Sequence, residues 1–184
     1  MPDPARTRRA DATLNRQRLL DAARAAFAAT GAETSMAEVV RRSGLGPATL
    51  YRHFPTRQTL LEAVLLDELD AMCASAATSE GGSPGERFTG WLRRFFRDVT
   101  TERPVVLDLL VLEGGGTTSL KQDTRDRLIA AGRPLLTAAQ DAQEVRTGLD
   151  LAQVLDLVMA VAKIAGPPAH RGPILEVALA GLRP

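Results

Sequence analysis

The stretch Thr34-Ser35-Met36-Ala37-Glu38-Val39-Val40-Arg41-Arg42-Ser43-Gly44-Leu45-Gly46-Pro47-Ala48-Thr49-Leu50-Tyr51-Arg52-His53-Phe54-Pro55-Thr56 reads as two short helices and the turn between them. Ser35 with Glu38 three residues later is a capping box that opens the first helix. Gly44 supplies the left-handed residue that ends it. Pro47 suits the first position of the second helix, and Pro55 breaks that helix after Phe54. Two short helices joined by a tight glycine turn make a helix-turn-helix. The second helix, about two turns long, cannot build a core alone. It needs a platform under Leu50 and Phe54, which leaves Ala48, Thr49, Tyr51, Arg52 and His53 for a partner.

Those residues suit DNA. The small side chains at the start of the helix let its amino end approach the major groove, where Thr49 can meet a thymine methyl or a base edge. Tyr51, Arg52 and His53 can donate to phosphates, as can the amino ends of the flanking helices near Ser35 and Thr56. Charge points the same way. The 184 residues carry 23 Lys+Arg and 22 Asp+Glu, a net charge of +1. Residues 1–57 hold ten arginines against five acids, a balance of +5, and residues 58–184 hold 13 bases against 17 acids, a balance of −4. A basic head on an acidic body suggests nucleic-acid binding by the head.

Outward from this stretch the pattern is helical throughout, and an all-α chain of about nine helices is expected. Leu19, Leu20, Ala23, Ala26 and Phe27 share one face of a helix from about Asn15 to Thr30, stopped by Gly31. A long helix, Arg57 to about Ala77, carries Leu60, Leu61, Val64, Leu65, Leu69 and Met72 at three-and-four spacing. After a boundary at 79–85 come helices over about 86–101, 104–113, 119–143 (bent near Gly132-Arg133-Pro134), 151–165 and 173–182. The expected organisation is a flexible basic tail over 1–12, a reading head over 13–58 and a helical body over 59–184. The tail arginines Arg6, Arg8 and Arg9 fit either a minor-groove arm or plain disorder. Arg41 and Arg42 fit either phosphate contact or a solvated helix face.

The run from Arg18-Leu19-Leu20-Asp21-Ala22-Ala23 through Phe27, Gly31 and Thr34–Phe54 to Pro55-Thr56-Arg57 and Leu60 resembles the DNA-binding domain of the TetR (tetracycline-repressor) family of transcriptional regulators. It spans about 45 residues, a quarter of the chain. The resemblance implies a ligand-responsive bacterial regulator, most often a repressor, that binds a palindromic operator as a dimer. It assigns DNA contact to Thr49, Tyr51 and His53, and it puts Arg57 where the family usually has a phosphate-binding lysine. Val40 stands where the family usually has a small alanine. For the body the resemblance implies dimerisation and binding of a small effector.

The residues of the body agree with that expectation. Leu151, Val154, Leu155, Leu157, Val158, Val161 and Ile164, then Ile174, Leu175, Val177, Ala178 and Leu182, make the last two helices apolar around much of their girth. Pairing them across a two-fold axis into a four-helix bundle would bury them. Met72, Phe88, Trp91 and Phe95 are the candidate wall of a pocket for an apolar or amphipathic effector, or else plain core.

Other classes fit poorly. Two histidines and one cysteine provide no catalytic or metal constellation, so neither enzyme activity nor a cofactor is expected. Gly114–Lys121 resembles a phosphate loop, but Leu120 stands where the glycine before the lysine is required. The most apolar stretch, Val154–Gly166, is interrupted by Asp156 and Lys163 and is shorter than the roughly 20 residues of a membrane span. No apolar segment follows the N-terminal arginines, and lone Cys73 forms no internal disulfide. A cytoplasmic protein is expected, with Cys73 a small core residue. The competing readings are an activator, or an enzyme of unknown type, on the same helical scaffold.

Overall fold

The computed structural model of the chain describes residues 4–30, 34–102 and 118–184, which form eight α-helices and, among the described residues, no strand. They are α1 Pro4–Thr30, α2 Met36–Ser43, α3 Pro47–His53, α4 Arg57–Ala77, α5 Pro84–Arg97, α6 Thr118–Asp141, α7 Leu151–Ala162 and α8 Pro168–Ala180. The helix expected over 104–113 and the stop at Gly31 lie outside the described residues.

Two helices begin earlier than their apolar pattern suggests. α1 starts at Pro4 instead of near Asn15. A proline suits the first helical position, and the alanines and arginines that follow are strong helix formers even without an apolar face. α8 starts at Pro168, with Pro173 inside it. The Arg171 guanidinium donates to the Ala162 carbonyl at 2.9 Å, tying its first turn to the end of α7. α5 is opened by a full capping box between Ser83 and Glu86, and α7 by one between Asp150 and Gln153. Beyond Arg97 the winding loosens into a single π-helical turn, Asp98–Glu102. α6 remains helical through Gly132-Arg133-Pro134.

The chain divides into two compact units, Met1–Asp67 and Glu68–Pro184, so the boundary falls within α4. In the first, α1 supplies Leu19, Leu20, Ala23, Ala26 and Phe27, and these are buried with Val39, Leu50, Phe54, Leu60 and Val64. In the second, α5 presents Phe88, Trp91, Leu92, Phe95 and Phe96 at helical spacing and packs on α6 and α7. α6 meets it with Gly132, where a Cβ would lie 2.3 Å from Trp91 Cη2. The indole therefore rests directly on the α6 backbone. Among the described residues no helix is long and apolar enough to cross a membrane, and no cluster of His, Cys, Asp and Glu could hold a metal ion.

Candidate nucleic-acid interface

The first unit is built to hold α3. The turn before it rests on Gly44, whose φ of 65° is left-handed, and on the Ser43 hydroxyl, which donates to Val40 O and accepts from Leu45 N–H. Arg18 of α1 donates to Ser43 O at 3.0 Å, fixing the end of α2. Pro47 begins α3, and Phe54 closes it by donating its N–H to Leu50 O at 2.8 Å. Leu50 and Phe54 are buried. Helical geometry then turns the other side chains outward. Ala48, Tyr51 and Arg52 are exposed, and Thr49 and His53 are half-buried. Tyr51 is 51% exposed, so of the two aromatics three residues apart, Phe54 packs and Tyr51 faces out.

Ser35 caps α2 as expected, accepting from Glu38 N–H at 3.2 Å. The carboxylate of Glu38 turns instead to Arg41 Nε and Nη2, at 2.8 and 2.6 Å, and to Arg42 Nε at 2.6 Å. Hydrogen bonds from Arg41 first, then Arg42, hold its pKa at about 2. The two arginines are therefore partly neutralised on their own helix.

Arg57, at the start of α4, is half-buried. Its Nε donates to the Thr34 carbonyl at 3.1 Å and its guanidinium lies 5.8 Å from the centre of the Phe27 ring. Thr34 is itself buried and donates to Ala26 O at 3.1 Å. Arg57 thus sits at the junction of α1, α2 and α4. Val40 is half-buried in α2. Sequence reading passed over Arg16, whose guanidinium stands 5.3 Å from the Phe54 ring, beside the end of α3. Its position one turn before Leu19 and Leu20 was the available signal.

In the second unit Met72, Phe88, Trp91 and Phe95 are all buried. Trp91 lies 6.4 Å from both Phe88 and Phe95, ring centre to ring centre. Trp91 also lines a cavity of about 450 Å³; the other three do not. Cys73 is half-buried, and burial pushes its thiol pKa up, which disfavours a reactive thiolate.

The comparisons agree at both ends of the chain. Residues 19–64 match the pattern of bacterial regulatory proteins of the tetR family. Residues 83–184 match that of the SbtR-like transcriptional regulator C-terminal domain. A TetR transcriptional regulator from Streptomyces coelicolor is 31% identical, with 92% of this chain and 98% of that one covered and a TM-score of 0.73. A TetR transcription regulatory protein from Mycobacterium vanbaalenii is 33% identical, with 96% and 99% covered and a TM-score of 0.75. No curated protein matches the chain.

Proposed function

This chain belongs to the TetR family of bacterial transcriptional regulators, and we propose that it is a repressor, a cytoplasmic homodimer that grips a palindromic operator until a small, largely apolar effector releases it. As a transcription regulator and not an enzyme, it works through differential binding. The observation that carries the reading is the two-faced α3: Leu50 and Phe54 anchor it, while Ala48, Tyr51 and Arg52 point away from the core.

In this reading Ala48 and Thr49 meet base edges in the major groove, and Tyr51, Arg52 and His53 grip the flanking phosphates. Ser35 and Arg57 take phosphate at the starts of α2 and α4. Two such heads, about one or two DNA turns apart, would read a palindrome. Leu157 on α7 and Val177 on α8 support dimerisation by these helices, since both are exposed although apolar, Val177 by 75%. Of the expected wall, Trp91 lines a cavity, and in this reading the effector chamber lies there, with Met72, Phe88 and Phe95 buried core. A change at α4, which spans the boundary between the units, would alter the grip on DNA.

Selection of bound sequences from random DNA by the full chain tests the proposal. Enrichment of a palindrome is expected, and no enrichment would overturn it. Tyr51→Ala should then weaken operator binding about tenfold, or about 1.4 kcal/mol, with the helical circular dichroism unchanged. Equal affinity would remove Tyr51 from the interface.

A further inference from the structure

Several arginines of the first unit are held by its own acceptors. Arg18 donates to Ser43 O at 3.0 Å, Arg24 pairs with Asp21 and Asp67, Arg41 and Arg42 share Glu38, and Arg57 donates to Thr34 O. Arg52 and Arg16 differ: both are exposed, and no carboxylate among the described residues pairs with either. Arg52, on α3, is already assigned to phosphate. Arg16, on α1, has its guanidinium over the Phe54 ring, 5.3 Å from the ring centre. A π contact holds the group through its charge and uses none of its N–H donors. Those donors, set in a planar fork that matches phosphate oxygens, stay available.

The position of Arg16 is as fixed as that of α3. One turn further along α1, Leu19 and Leu20 are fully buried, so the helix cannot roll to carry Arg16 away. Phe54 is 3% exposed and closes α3 by donating its N–H to Leu50 O. The His53 ring lies 6.2 Å from the same Phe54 ring, centre to centre. Arg16 and His53 therefore meet at one phenylalanine, beside the carboxyl end of α3, where the helix dipole favours a cation. A side chain held there in advance needs little further ordering to grip a phosphate. Arg57 repeats the arrangement at the start of α4, its guanidinium 5.8 Å from the centre of the Phe27 ring.

We propose that Arg16 is a DNA-phosphate contact made from α1, so that the strand running past the carboxyl end of α3 is gripped from outside the helix-turn-helix. The inference rests on the reading of α3 as the helix that enters the major groove. It adds a residue of α1 to a contact set otherwise drawn from α2, α3 and α4. Phosphate contacts set the register of a protein on the duplex and carry no base information themselves. Arg16 therefore acts on the strength of docking and the seating of α3, not on the choice of bases.

The test uses the full chain, the duplex selected from random DNA and a scrambled duplex of the same length. Arg16→Met keeps an unbranched apolar side chain for the Phe54 ring and removes the charge. It should weaken binding to both duplexes about tenfold and flatten the dependence of log affinity on log salt by about one, with the helical circular dichroism unchanged. Arg16→Lys should recover most of the salt slope, which a purely structural role would not move. A neutral methylphosphonate is then placed at each backbone position of the selected duplex in turn. At one phosphate it should cost the parent about tenfold and cost Arg16→Met nothing further. The inference is overturned if Arg16→Met keeps the parent's salt slope, or if it loses as much as the parent at every methylphosphonate. A parent that binds both duplexes equally would count against the repressor reading alone, since the salt slope still decides Arg16. Binding to neither duplex would overturn both.

Discussion

Arg57 braces Thr34 and is proposed to meet phosphate, two tasks that a lysine could not combine. Its planar guanidinium lies near Phe27 while Nε donates to Thr34 O, and the charge stays at the start of α4, where phosphate is expected. Arg57→Ala should lower affinity for all DNA sequences and flatten the dependence of log affinity on log salt by about one. It should also cost about 1 kcal/mol of stability through the lost bond to Thr34. Arg57→Lys should keep most of the salt slope and lose the stability increment. Salt titrations and urea melts of the two variants separate the roles. A slope unmoved in Arg57→Ala would leave Arg57 a brace only. The charge was legible in the sequence because it sits at a helix start after Pro55-Thr56. The brace was not, because Thr34 is 23 residues away and only the folded junction brings the two together.

At the scale of the element, α2 and the α5–α6 pair show opposite degrees of legibility. The caps at Ser35, Gly44 and Pro47 are local, and the structure has each where the sequence places it. The partner of Glu38 was not legible, since both its own N-cap backbone and the next turn's arginines lie within reach. Its pKa is lowered by Arg41 and Arg42 to about 2 from an ordinary 4.5. A carboxylate depressed in the folded state stabilises it above the ordinary value, and that contribution is lost as pH falls from about 4.5 toward 2. Glu38→Gln should therefore make the acid limb of a stability-versus-pH curve shallower in that window, and an identical limb would mean the ion pairs contribute nothing in solution. For α5 and α6, Gly132→Ala sets two effects against each other. Alanine gains up to about 1 kcal/mol of helix propensity, but overpacking a rigid core costs about 1–3 kcal/mol. With the new Cβ 2.3 Å from Trp91 Cη2, the clash should win, and the thermal midpoint should fall. A raised midpoint would show that Trp91 moves aside freely.

Over the whole molecule, charge and apolar surface are distributed by purpose. The first unit, residues 1–67, holds ten arginines and seven acids, and the second holds 13 bases and 15 acids. The excess is therefore +3 and −2, smaller than a division at residue 57 gives, because Glu62 and Asp67 belong to the first unit. Asp67 is also paired with Arg24. The basic excess stays on the unit that carries α3, as DNA binding requires. On the second unit, Val177 is 75% exposed, with no partner covering it among the described residues, and the proposed dimer supplies one. Val177→Glu should leave each protomer folded, shift sedimentation at micromolar concentration from dimer to monomer, and weaken operator binding. A dimer that persists would put the interface elsewhere.

The sequence by itself determined the all-α class, the helix-turn-helix and the exposure of Ala48, Tyr51 and Arg52 on α3, whereas Thr49 and His53, read as outward too, are half-buried. The class, the motif and that exposure each follow from interactions within four residues along the chain: capping, glycine and proline geometry, and the helical period. Only the tertiary structure decided that Arg57 braces Thr34, that Arg16 stands over Phe54, and that Gly132 admits the Trp91 ring. It also brought α5 and the end of α4 to one cavity. Those depend on distances between elements far apart in sequence, and a one-dimensional pattern carries no such distances. The near-neutral total of +1 likewise conceals a partition that becomes physical only when the chain folds into two units.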